Sequence, residues 1–105
     1  MLTYESATEL LGKKDMKKLA GNTTLRKERG NMVVRFWSTD IITIAPDNTY
    51  TLRAGGYETV TTKARLNDLT PASVGQEKYV WYIYQGDNRT PFVDGIRVNS
   101  SGAVI

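Results

Sequence analysis

A chain of 105 residues and 11.8 kDa has room for one domain, and its 40% apolar and 24% charged residues place it among ordinary globular proteins. Fourteen Lys and Arg against eleven Asp and Glu leave a formal charge of +3. The chain has no Cys and no His, which excludes disulfides, thiolate nucleophiles, imidazole bases and zinc sites built on N or S ligands. What remains is carboxylate, hydroxyl, lysine or arginine chemistry, or binding without chemistry.

The excess charge belongs to the first third. Residues 1–30 hold seven Lys and Arg against four Asp and Glu, whereas residues 31–105 balance at seven each. Ser6-Ala7-Thr8-Glu9 has the form of a capping box. With Ala7, Leu10 and Leu11 on one face it predicts a short helix ending near Gly12. The lysine run Lys13, Lys14, Lys17 and Lys18 follows as a linker, so residues 1–18 read as a basic N-terminal helix and linker.

Residues 19–60 read as a meander of short strands. Met32–Trp37 is β-branched and aromatic and follows a turn at Arg29-Gly30-Asn31. Ile41–Ala45 is a second apolar strand, Pro46-Asp47-Asn48 supplies turn chemistry, and Thr49–Arg53 alternates with period two. About four strands are expected between residues 22 and 53. Gly55-Gly56 ends this unit, and Tyr57–Val60 is read as a fifth strand.

Residues 61–105 read as a short helix and C-terminal strands. Thr61 or Thr62 is expected to cap a helix through Leu69, stopped before Pro71. Tyr79–Tyr84 is a continuous apolar and aromatic run expected to be substantially buried, with Gln85-Gly86-Asp87-Asn88 as its turn. Residues 91–98 read as one or two strands around Asp94-Gly95. Short strands at spacings of about eight to ten residues behind one helix predict a mainly β protein, a small barrel or strongly bent sheet whose edges are closed or paired with a neighbouring subunit.

No apolar stretch reaches the roughly 20 residues that span a bilayer, and the N-terminus lacks a signal peptide's apolar run. A membrane role is therefore not expected, and the sequons at Asn88 and Asn99 are read as chance matches.

No catalytic constellation is legible. A PD-(D/E)xK nuclease would need Pro46-Asp47 to be followed by Glu-x-Lys or Asp-x-Lys, and neither follows. No phosphate-binding G-x-x-x-x-G-K-[ST] loop or G-x-S-x-G elbow occurs. The expectation is a protein that is not an enzyme, with no metal, no cofactor and no catalytic residue.

Three features point to binding, each with a plainer alternative. Lys13, Lys14, Lys17 and Lys18 form a solvated linker, a phosphate-contacting patch or, least favoured, a membrane-adhesion patch. Gly55-Gly56 through Lys63 and Arg65 forms either a simple turn and cap with exposed cations or a phosphate cradle. Trp37, Tyr50 and Tyr57 lie near turns beside Arg35 and Arg53, where rings either fill the core or stack on bases. Trp81, Tyr82 and Tyr84 are assigned to core or interface.

Taken together, several segments resemble a family of small phage proteins abundant in marine and cyanophage sequence. They are Lys18–Thr23, Asp40–Thr43 leading to Pro46-Asp47, Gly55-Gly56-Tyr57 with Thr59–Lys63 and Arg65, and Pro91–Val98. That family is similar in fold to Sm and LSm proteins, which implies a single Sm-like domain over residues 1–105: an N-terminal helix and a bent five-stranded barrel. The resemblance implies a homo-oligomeric ring that binds RNA. The expected function is binding of single-stranded nucleic acid, RNA ahead of DNA, in phage RNA or DNA processing, and the missing membrane span and signal run place it in the cytoplasm of the infected host cell. In that arrangement the Trp37–Asp40 turn and the loop holding Arg53, Gly55 and Tyr57 line a pore.

The resulting nucleic-acid-binding set is Lys13, Lys14, Lys17, Lys18, Arg35, Trp37, Arg53, Tyr57, Lys63 and Arg65. The Sm signature turn is poorly matched, since Ile96-Arg97-Val98-Asn99 lacks its glycine. The alternatives are a virion or assembly ring without nucleic-acid affinity, and an inhibitor of a host protein anchored by Trp81, Tyr82 or Tyr84.

Overall fold

A computed structural model describes residues 1–105. Its elements in chain order are helix α1 (Tyr4–Leu11), strands β1 (Met16–Ala20), β2 (Thr23–Glu28), β3 (Asn31–Phe36), β4 (Thr39–Ile44) and β5 (Tyr50–Leu52), helix α2 (Val60–Leu69), and strands β6 (Val74–Glu77), β7 (Val80–Gln85), β8 (Asn88–Pro91) and β9 (Ile96–Val98). The strands form a six-stranded sheet in the order β1-β2-β3-β4-β5-β9 and a three-stranded sheet, β6-β7-β8. Every pairing is antiparallel.

Tight turns set the registers. Glu28 pairs with Asn31 across Arg29-Gly30, both at positive φ (51° and 81°). That is the type I′ geometry whose twist matches a hairpin. Opposed residues share a sheet face, so the register row Leu25, Val34, Ile42, Leu52 and Ile96 lays one apolar stripe across five strands. Ile41 is an extra residue between Val34 and Arg35 pairings, a β-bulge that lets Ile41 and Ile42 both enter the core.

A single core of 19 buried residues draws on both sheets and both helices, including Leu25, Ile44, Leu66, Trp81 and Val98. Buried Tyr50 donates its hydroxyl to the Leu2 carbonyl and anchors the N-terminus. Asn67 on α2 both accepts from the Val74 amide (2.7 Å) and donates to the Val74 carbonyl (2.9 Å), tying the helix to the small sheet.

The mainly β character, the leading helix and the four strands between residues 22 and 53 agree with the sequence reading. The closed five-stranded barrel does not. β1 and β9 are the two ends of the six-strand order and do not pair with each other. Each edge is blunted instead of closed: β1 carries Lys17 and Lys18, and three-residue β9 meets only an isolated bridge from Val98 to Val104.

Five local readings are corrected. α1 is capped by Thr3, whose hydroxyl accepts from the Ser6 amide (3.0 Å) while Ser6 Oγ accepts from the Thr3 amide (2.8 Å), so the helix starts before Ser6. The lysine run is not all linker, because Lys17 and Lys18 lie in β1. Tyr57–Val60 is no strand, and Thr59, rather than Thr61 or Thr62, caps α2. Tyr79 is 90% exposed in the β6–β7 turn, while Trp81 and Ile83 alternate inward, so a run that reads as continuously buried is a two-faced strand.

Candidate nucleic-acid interface

The β3–β4 hairpin turns at Trp37-Ser38, and Trp37 sits there at φ 55°. A bulky residue in that region is uncommon. It is held by pairing on the other side, since the Trp37 amide donates to the Asn22 carbonyl at 2.8 Å. The indole is 68% exposed and meets the Phe36 ring edge-on at 6.5 Å.

A second segment comes to the same place after β5. Ala54-Gly55-Gly56-Tyr57 closes as a turn, with the Tyr57 amide donating to the Ala54 carbonyl at 3.1 Å and both glycines at positive φ (64° and 81°). Gly55 is required twice over. Its φ is left-handed, and a Cβ there would stand 2.6 Å from Thr39 Oγ1. The turn delivers Tyr57, 69% exposed, and leads to the α2 cap at Thr59.

Between these segments lies a cleft of about 430 Å³. Phe36, Ile41 and Ala54 supply apolar lining, Trp37 and Tyr57 supply exposed rings, and Ser38, Thr39, Thr59, Thr61 and Thr62 supply hydroxyls. Thr59 and Thr62 satisfy each other at 2.9 Å. No acidic side chain lines the cleft. Hydroxyls can donate or accept, so the lining suits a flat ring with mixed polar edges and does not repel an anion.

The cations of the expected set divide. Arg65, half-buried on α2, donates Nε to Thr23 Oγ1 (3.0 Å) and holds its guanidinium carbon 6.0 Å from the centroid of Phe36, which lines the cleft. Lys63 lies on the same helix, and Arg53 directly precedes Ala54. None of these three takes part in the four ion pairs of the chain.

Arg35 is placed elsewhere. It shares a register row with Lys18, Thr24 and Asp40 on the sheet face opposite the core stripe. Its Nε donates to Asp40 at 2.9 Å, so its charge is largely neutralised. Asp40 also accepts two bonds from Arg26, both 2.9 Å. These bonds, first from Arg26 and then from Arg35, pull its carboxyl down from 3.8 to about 2 against the opposing effect of burial.

Lys13 and Lys14 precede the Met16 end of β1, which pairs at Arg26, whereas the cleft lies at the Thr23 and Phe36 end. Four expected residues therefore lie away from the cleft by register or by chain position: Lys13, Lys14, Lys18 and Arg35. Lys17 alternates to the core side of β1 opposite Leu25, also outside the lining. Of the host-inhibitor anchors, Trp81 is removed, since it is only 2% exposed and packs edge-on against Phe92 at 5.7 Å, whereas Tyr82 and Tyr84 are half-buried.

The sequence reading missed the hydroxyl wall. Ser38 and Thr39 were visible as turn residues, but nothing in their spacing says that they meet Thr59, Thr61 and Thr62. No group of three or more Asp and Glu stands together as a metal would need, and no helix is long and apolar enough to cross a membrane.

The fold and cleft define a small antiparallel β protein with an aromatic, hydroxyl-lined surface cleft. The chain matches the family described as Kyanoviridae Gp96 protein over residues 2–99, and it belongs to that family. This agrees with the resemblance to small cyanophage proteins drawn from its segments. No curated protein and no solved structure matches the chain.

Proposed function

We propose that this protein binds single-stranded nucleic acid, RNA or DNA, without chemistry of its own, by stacking a base in the Trp37–Tyr57 cleft. The observation that carries the reading is the pair of exposed rings brought from two separate segments to one cleft with no acid in its lining. An aromatic platform is sequence-tolerant because every base has a flat face. Arg53, Lys63 and Arg65 are the cations assigned to phosphate, and Lys13, Lys14, Lys17 and Lys18 add only longer-range attraction. A sugar ligand is less well served, because the lining has neither carboxylate nor amide side chains for bidentate bonds to vicinal hydroxyls.

The test is fluorescence titration with an unstructured oligonucleotide at low and high salt. Trp37 is exposed and Trp81 buried, so a stacked base should quench the Trp37 component. Trp37→Ala should weaken binding by about tenfold, the loss of one base stack of about 1–3 kcal/mol. Absence of binding at low salt would sink the proposal.

A second reading, an assembly component of the virion, draws on a different observation. Tyr79, Val80 and Val93 are exposed apolar residues outside the cleft, and the β1 edge is unpaired. Self-association into a homo-oligomeric ring belongs to either reading, and light scattering across a concentration series measures it. Oligomers with no oligonucleotide affinity would favour assembly.

A further inference from the structure

We infer that Asp94 is a positioning residue that latches the Tyr57-bearing turn and so sets the opening of the cleft. This inference rests on the base-stacking reading of that cleft. Asp94 lies in the segment between β8 and β9, forty residues from the turn it holds. Its two carboxylate oxygens accept from consecutive backbone amides, Oδ1 from Ala54 at 2.8 Å and Oδ2 from Gly55 at 3.0 Å.

Asp94 is itself fixed, because the neighbouring Gly95 amide donates to the Leu52 carbonyl of β5 at 2.8 Å. The chain of bonds continues into the cleft. Ala54 lines it, and the Ala54 carbonyl receives the Tyr57 amide. One end of the latch is therefore a strand of the main sheet and the other is the turn that carries an exposed ring.

The turn needs such a latch. Two adjacent glycines at positive φ give it little stiffness of its own, and glycine loses more freedom on ordering than any other residue. Hydrogen bonds to an ionised acceptor are stronger than neutral ones. A stacking wall held in place does not lose that ordering entropy again on binding. Asp94 touches no ligand in this scheme and acts only through the turn.

The experiment compares wild type, Asp94→Ala, Asp94→Asn, Tyr57→Ala and the Asp94→Ala/Tyr57→Ala double variant. The probe is a single-stranded oligonucleotide carrying 2-aminopurine, and amide hydrogen exchange is followed at residues 54–57. Asp94→Ala should weaken binding about five- to tenfold and accelerate exchange at Ala54, Gly55 and Tyr57. Asp94→Asn, which keeps one carbonyl acceptor, should fall between it and wild type. The double variant should bind no more weakly than Tyr57→Ala, because both changes act through one wall.

Additive losses, or unchanged exchange in Asp94→Ala, would overturn the latch. Should Asp94→Ala fail to fold, Gly55→Ala breaks the same turn from the Thr39 side and Asp94→Asn still reads the latch. Should wild type bind no oligonucleotide, the stacking reading fails, and the exchange rates alone decide whether Asp94 holds the turn.

Discussion

Asp40 sits between Arg26 and Arg35, and its engagement has a pH signature. Its folded pKa of about 2 lies below the ordinary 3.8, so the unfolded chain takes up the proton first as pH falls. The stabilisation is therefore complete above about pH 4 and lost between pH 4 and pH 2. The side chain is about one-third exposed, so solvent screening reduces it to about 1–2 kcal/mol. Acid titration of stability should show this loss in wild type, and Asp40→Asn should flatten the curve in that window. The pairing was illegible in sequence: Arg35 and Asp40 are five apart across a bulged hairpin, and Arg26 reaches Asp40 diagonally from the next strand but one. The exposed cation read as a phosphate contact is, by that register, half of an ion pair.

At the scale of the element, turns and caps were the most legible signals, and their placement erred by a few residues. The Ser6–Glu9 box is chemically sound, yet Thr3 with Ser6 forms an equivalent reciprocal pair one turn earlier. It wins because starting there lets buried Leu2 and Ala7 reach the core and the Tyr4 amide donate to Asn48 Oδ1 at 2.8 Å. Thr3→Ala should cost about 1 kcal/mol of stability by denaturant unfolding, whereas Thr8→Ala, at an exposed helical position, should cost much less. The β6–β7 turn runs the other way. Lys78 and Tyr79 take φ of 49° and 69°, the two left-handed positions of a type I′ turn, without glycine or asparagine. Replacing them with Asn and Gly should raise stability by about 1–2 kcal/mol. Lost self-association in that variant would indicate that the exposed ring is kept for a contact and not for folding.

For the whole molecule, the distribution of charge decides how binding should respond to salt. If phosphate is met by Arg53, Lys63 and Arg65 alone, the logarithm of affinity should fall with the logarithm of salt at a slope of about −2, near 0.7 per phosphate for a single strand. Lys13→Ala/Lys14→Ala should leave that slope nearly unchanged, while Arg65→Ala should reduce it. A slope that followed the N-terminal lysines instead would move the interface to the other end of the main sheet.

The sequence by itself determined the mainly β class, the leading helix, the order of hairpins over residues 22–53 and the absence of His and Cys chemistry. These follow from local rules: period-two alternation, left-handed turn residues, hydroxyl caps and composition. Even the two segments of the cleft were expected to be neighbours, through a resemblance that had them facing a pore. Tertiary structure alone decided that the sheet stays open, that Arg35 is neutralised while Arg65 stands beside the cleft, and that Asp94 reaches back forty residues to hold the turn before Tyr57. Each of those depends on strand register or on contacts between distant segments, and neither is encoded in the spacing of residues along the chain.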